Sequence, residues 1–399
     1  MAGPLLSDIV DPNWRPENDD DWSSLDYYAT QLFRPGAPVD EDNLFVGRIA
    51  QARALLDVIF QPGRHALLYG ERGVGKTSLV SIINERIIEP AKYTKVLKVG
   101  CNPTDTFSSI WANLFFGYEW QNRPIPELIK ENPQPFTIYK LAESIVQRTL
   151  VIIDEFDRLQ DQTSKILLAD TIKYLSDNPL KFTVVVVGVG QSVEELFGNH
   201  PSIQRCCKQI PMPRMSPQEL EQIIETRLPQ LRITAAPEVI SQIAKFAQGL
   251  PGYVHLLGQL ATRNAIARHS QYIELRDLKV AISSALKEAD ESTRNAYYSA
   301  IQSTKPDNRY REVLLACALA EKNELGRFSA AAVCAPYSAI RGTEMGIEHF
   351  ARHLDAFCDP ARGPVLIKSG KRKGFMYQFA NPLLEPLVVL VGESGRVAT

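Results

Sequence analysis

The stretch HALLYGERGVGKTS, residues 65–78, decides how the rest of the chain is read. His65 to Tyr69 is a short apolar run closed by glycine, which predicts a buried strand. Gly70, Gly73, Gly75, Lys76 and Thr77 then fit the spacing G-x-x-x-x-G-K-[ST] of a phosphate-binding loop. Each residue type has a chemical reason. Glycine lets backbone N–H groups approach phosphate oxygens closely because no Cβ intervenes. Lys76 is placed to reach the β- and γ-phosphates, the Thr77 hydroxyl to ligate Mg²⁺, and Val74 and Ser78 to complete the cradle. Leu79, Val80, Ile82, Ile83, Ile87 and Ile88 continue as a helix that stops before Pro90, so its positive end faces the phosphates.

A second motif supports the first. LVIIDE, residues 150–155, is a buried strand with Asp154 and Glu155 at its carboxyl end, where open α/β sheets bind ligands. Asp154 suits the Mg²⁺ shell, and Glu155 suits polarising a water in line with the γ-phosphate. Asp157 reads either as a cap for the next helix or as a further metal ligand. Further strands are expected at Val96–Val99, Phe182–Val187 and Gln209–Met212. Gln191, or Ser192 after it, leaves the third of these runs as a γ-phosphate or water contact. Ser192 equally fits a cap for Val193–Phe197. Arg205 is either a finger acting on a neighbour's nucleotide or an ordinary ion-pairing arginine.

The 399 residues allow two or three domains, and 45% hydrophobic with 23% charged content is ordinary for a soluble globular protein. The formal charge of -2 is unevenly spread: residues 1–45 carry ten acids against Arg15 and Arg34, leaving +6 on the remainder. That balance permits a nucleic-acid partner without demanding one. The six cysteines lack zinc or disulfide spacing, which predicts free thiols and a cytoplasmic location. No membrane-spanning run or secretory signal is read, so no membrane partner is expected. Residues 1–44 read as an extended acidic arm with isolated aromatics. After residue 214 the strands cease. Ser216-Pro217 opens a helix, and Pro237–Gln248, Tyr253–His269 and Leu275–Lys287 follow. The last hundred residues return to mixed structure. Helices are expected at Thr293–Ser303, Arg309–Glu321 and Ile347–Phe357, and strands at Pro364–Lys368 and Phe375–Phe379.

Together with Phe45-Val46-Gly47-Arg48, these features resemble an AAA+ ATPase of the origin-recognition (replication initiator-like, STAND-related) type with a C-terminal winged helix. The resemblance implies an α/β fold: a P-loop parallel sheet at 45–214, a helical lid at 215–289 and a winged-helix domain at 290–399, after the arm at 1–44. It implies ATP and Mg²⁺ as ligands, probing of the adenine by Val46, Gly47 and Arg48, and self-assembly or a partner protein. One departure concerns the third lid helix, where such proteins carry a sensor arginine. Here the region is Gly249-Leu250-Pro251-Gly252-Tyr253-Val254-His255, closer to the G-x-P of STAND ATPases, whose proline (Pro251 here) touches nucleotide. His255 either replaces the arginine or is a core residue. The winged helix presents Arg352 and a basic hairpin tip, Lys371-Arg372-Lys373, as candidate contacts to double-stranded DNA, although residues 291–399 carry a net charge of only +3. Three readings stay open: slow ATP hydrolysis coupled to DNA binding or assembly; a STAND-like switch between ADP and ATP states whose winged helix contacts protein; and a module that holds ATP without turnover.

Overall fold

The computed structural model describes residues 14–35, 47–85, 94–130, 133–190, 192–198, 200–303, 308–370 and 374–397. The chain divides into two compact units, one of Pro38–Glu71 with Gly75–Met212, the other of Met1–Ala37 with Arg72–Val74 and Pro213–Thr399.

The first unit is built on five described strands, all parallel: β1 (His65–Gly70), β2 (Thr94–Gly100), β3 (Arg148–Asp154), β4 (Phe182–Val189) and β5 (Cys207–Met212). Their order is β2-β3-β4-β1-β5. Parallel strands are covered on both faces, which is why the central ones are continuous apolar runs rather than alternating ones. Leu150–Ile153 and Val184–Val187 are all buried accordingly. The register pairs Gly100 with Asp154, and Gly70 with Val189 and Met212, so the carboxyl ends of the strands lie along one edge of the sheet. Around the sheet, Thr106 and Ser109 form a capping box for the helix Phe107–Leu114, and Asp161 caps Gln162–Asp177. Trp111, fully buried, stacks on Phe115. His65 is also buried, with Nδ1 accepting the Val184 N–H, and burial pushes its pKa down to about 4. It therefore sits in the core as a neutral imidazole.

The second unit is mainly helical. Pro217–Arg227 starts on a capping box of Ser216 and Glu219, and Pro237–Ala247, Pro251–Ala267 and Leu275–Glu288 follow. After Glu291–Ile301 and Tyr310–Leu319 come two helices that the sequence reading does not contain, Ala330–Arg341 and the terminal Leu384–Val397. Three strands, Phe328–Ser329, Met376–Phe379 and Leu366–Ser369, pair antiparallel in that order. The helix expected at 347–357 is instead a 3₁₀ turn, Ile347–His349, followed by a helix at Ala351–Phe357. Among the described residues no helix is long and apolar enough to cross a membrane. All six cysteines are free thiols.

The expected extended arm is a helix in its described part, Asp19–Leu32. Asn18 caps it, and Asp19, Asp20 and Asp21 lie in the first turn, where a helix dipole favours acids. The acids that suggested extension are thus helix-forming in place. One stripe of this helix, Leu25, Ala29 and Leu32, is buried with Phe33. The ring of Phe33 lies over Gly258, where an added Cβ would come within 2.6 Å of it. The buried Arg227 donates Nε–H to the Leu32 carbonyl, Gln259 donates to the Phe33 carbonyl, and Arg263 holds Asp26 through two bonds. Trp22 stacks on His269 with ring centroids 5.1 Å apart. Truncating Phe33 to Ala is expected to cost about 3 kcal/mol of stability, the usual scale for an emptied aromatic site. Urea unfolding of both proteins measures it, and a loss below about 1 kcal/mol would mean that the arm is not anchored there.

Candidate functional site

β1 ends at Gly70, and the chain folds back through a loop whose Gly73 and Gly75 have φ of 87° and 92°. That left-handed geometry is open to glycine at little cost. Gly75 serves as N-cap of the helix Lys76–Ile83. Lys76 is buried, and its Nζ donates to the carbonyls of Gly70 at 3.0 Å and Glu71 at 2.7 Å. Burial pushes its pKa down to about 8, outweighing the opposing pull of Asp157, Asp154 and Glu71. A buried ammonium satisfied only by carbonyls fits an anionic ligand, which would supply the missing charge.

β3 delivers the acids. Asp154, itself buried, accepts from the Thr77 hydroxyl at 3.4 Å and from the Glu155 N–H at 2.9 Å. Thr77 and Asp154 therefore meet as a hydroxyl and a carboxylate, the oxygen pair that a hard cation such as Mg²⁺ takes. Glu155 has a left-handed backbone, φ 52°, and begins a 3₁₀ turn over Phe156–Arg158. Asp157 is not the cap of the next helix. It accepts the Val189 N–H at 2.7 Å and so fastens the end of β4, while Asp161 caps the next helix.

The structure thus brings Gly70, Gly75, Lys76, Thr77, Asp154 and Glu155 to one edge of the sheet. Gly47 and Arg48 have left-handed backbones, and Arg48 is buried before the helix Ile49–Phe60. Ser192 caps Val193–Phe197. Arg205 forms an ion pair with Asp177 at 2.8 Å. Pro251, in the other unit, is the first residue of its helix. Arg352 is exposed, whereas His353 is buried edge-on to Tyr310. Val46, Gln191 and the tip Lys371-Arg372-Lys373 lie outside the described residues. His255 is a core residue. It accepts the Arg34 N–H through Nδ1, and burial, helped by Arg227 and Arg34, pushes its pKa down to about 3. A neutral imidazole cannot replace a sensor arginine.

Two cations were not read from the sequence. Lys98 on β2 stands 3.8 Å from Asp154, and Arg158 stands 2.7 Å from Glu155. The spacing of three from Glu155 to Arg158 was visible, but i,i+3 pairs imply contact only when the backbone is helical there.

Lys76 carries a testable consequence. Its ammonium form is needed by an anion, and an anion raises its pKa, so binding takes up a proton above pH of about 8. ATP affinity should fall as pH rises from about 8 to 10, by up to about tenfold per unit. Calorimetry in buffers of different ionisation enthalpy would show the uptake; affinity constant across that range would rule out this role for Lys76.

The fold is shared widely. The Walker-type ATPase of Pyrococcus abyssi is similar over 90% of this chain and 99% of its own, with 17% identity and a TM-score of 0.51. Orc1 of Aeropyrum pernix, solved in complex with DNA, is 17% identical with a TM-score of 0.48, covering 92% of this chain and 97% of its own. The RuvB Holliday junction branch migration motor of Thermotoga maritima is 16% identical with a TM-score of 0.47, covering 87% and 95% respectively. No curated protein matches the chain in sequence. A family model, novel STAND NTPase 1, matches residues 37–334, and on that match and this phosphate loop the chain belongs to the novel STAND NTPase 1 family.

Proposed function

We propose that this protein is a nucleotide switch of the STAND kind, which binds ATP and ADP with Mg²⁺ and hydrolyses ATP slowly. The observation that carries the reading is the buried Lys76 ammonium beside Thr77 and Asp154, within a family of NTPases. In this reading the loop N–H groups and Lys76 bind the phosphates, and Thr77 and Asp154 hold Mg²⁺. The metal, when bound, neutralises charge on the phosphate oxygens. Glu155 orients a water and takes its proton. Residues 215–289 act as the lid, with Pro251 toward the nucleotide, and Gln191 and Arg205 keep their suggested roles as phosphate sensor and trans-acting finger. Residues 290–399 act as a winged helix that meets another protein or another part of the assembly. Glu155→Gln should retain ATP binding but hydrolyse at least ~100-fold more slowly. Hydrolysis at the parent rate would remove Glu155 from the mechanism.

A second reading has its own support, the antiparallel pair Leu366–Ser369 and Met376–Phe379, whose connection contains Lys371-Arg372-Lys373. In the origin-recognition-like reading this connection meets double-stranded DNA, with Arg352 beside it. Changing the three basic residues to Ala should then make the slope of log affinity against log salt shallower by about 2–3 units, at ~0.9 per phosphate contact. Fluorescence anisotropy with duplex at several salt concentrations decides this. Absence of binding by the parent at low salt would leave the switch reading alone.

A further inference from the structure

The two oxygens of the buried Asp154 carboxylate have different neighbours. Oδ1 accepts from the Thr77 hydroxyl and from the Glu155 N–H, both uncharged donors. Oδ2 lies 3.8 Å from Nζ of Lys98, which among the described residues is the only cation in ion-pair reach of it. Lys76 does not serve there, because its ammonium is held by the carbonyls of Gly70 and Glu71.

The sheet explains why a lysine reaches this point. β2 is at the edge in the order β2-β3-β4-β1-β5, and its residues alternate: Leu97 and Val99 are buried, whereas Lys98 and Gly100 on the other face are exposed. The register sets Lys98 opposite Ile152 and Gly100 opposite Asp154, so these four residues share one face. Gly100 has no side chain to stand between the Lys98 stem and Asp154. The Lys98 side chain is 44% exposed and the Asp154 side chain only 9%. The ammonium is therefore free to retreat into water at small cost, while the carboxylate stays. A hydroxyl on one oxygen and a retractable ammonium at the other give Asp154 a countercharge with or without a metal.

We infer that Lys98 is a positioning residue that holds Asp154 when Mg²⁺ is absent and competes with Mg²⁺ for it, so that the site keeps ADP without the metal. The inference rests on the proposed reading of Thr77 and Asp154 as the metal's ligands. Without Lys98, the Asp154 carboxylate repels the phosphates of a metal-free nucleotide. With Lys98, a divalent cation has to displace a unit charge. Both effects make nucleotide binding less dependent on Mg²⁺.

The test uses the full chain. Lys98→Met keeps an unbranched apolar stem and removes the charge. Titration calorimetry with ADP, once in EDTA and once in excess MgCl₂, reads the difference. In EDTA, Lys98→Met should bind ADP ~3–5-fold more weakly than the parent, the scale on which a partly exposed charge pair acts. In excess MgCl₂ it should bind as tightly as the parent or more tightly. Lys98→Arg should stay near the parent in both. A Mg²⁺ dependence unchanged by Lys98→Met would overturn the inference. So would an equal loss of ADP affinity in both conditions, which is the mark of a damaged site rather than of a displaced cation. A parent that binds no ADP in either condition would instead overturn the nucleotide reading itself.

Discussion

An ammonium taken out of water with no carboxylate in bonding reach among the described residues is the constraint around which the nucleotide core is arranged. Among the described residues Lys76 bonds only to the carbonyls of Gly70 and Glu71. Asp154 and Asp157 act on it through space and do not offset the cost of burial. Holding the group there requires β1 to end, the chain to reverse through left-handed glycines, and a helix to begin at once. It also requires β3 and β4 to end along the same edge as β1, so that acids stand near without touching. The parallel register provides that alignment, and the network from Asp157 to Val189 keeps it. The site is thus held in a state of incomplete charge compensation, which a phosphate completes.

Three acids within four residues of β3 illustrate how backbone geometry assigns roles that composition cannot. Asp154 still belongs to the strand and faces Thr77. The left-handed Glu155 redirects the chain, so the next side chains no longer alternate as they would in a strand. Asp157 consequently turns to the backbone of β4, where it is structural. A motif search sees D-E-x-D and cannot tell which carboxylate is free to react.

Most of the core was legible for a physical reason. Strands buried on both faces are long apolar runs, and the loop and its acids have spacings set by phosphate chemistry. The helix start at Ser216 was legible through its cap. What escaped depends on a partner or on a broken rule. The buried stripe of the arm helix, Leu25, Ala29 and Leu32, has helical spacing, but its apolar face is too narrow to predict burial until Gly258 opens space for Phe33. Ala330–Arg341 was hidden by Pro336, which sits inside the helix despite its missing N–H. Pro386 lies in the first turn of the terminal helix, where the missing donor costs nothing.

The departure at Gly249–His255 has a structural explanation within the second unit. Gly249 has φ of +84°, and a Cβ there would come within 2.7 Å of Arg214, so the glycine lets the segment after β5 pass close by. Pro251 begins the helix, and the Tyr253 hydroxyl donates to the Leu383 carbonyl at 2.8 Å. Two residues further along, the fully buried Glu385 is held by Arg214 and Lys322, each at 2.9 Å. Burial pushes the Glu385 pKa up while the two cations pull it down, and without that carboxylate the two like charges would repel each other. His255 at the other end of the stretch receives the arm through the Arg34 N–H. The stretch Gly249–His255 thus joins the arm, the helices after residue 213 and the terminal helix. Displacing any one of them exposes buried charge or empties an aromatic site.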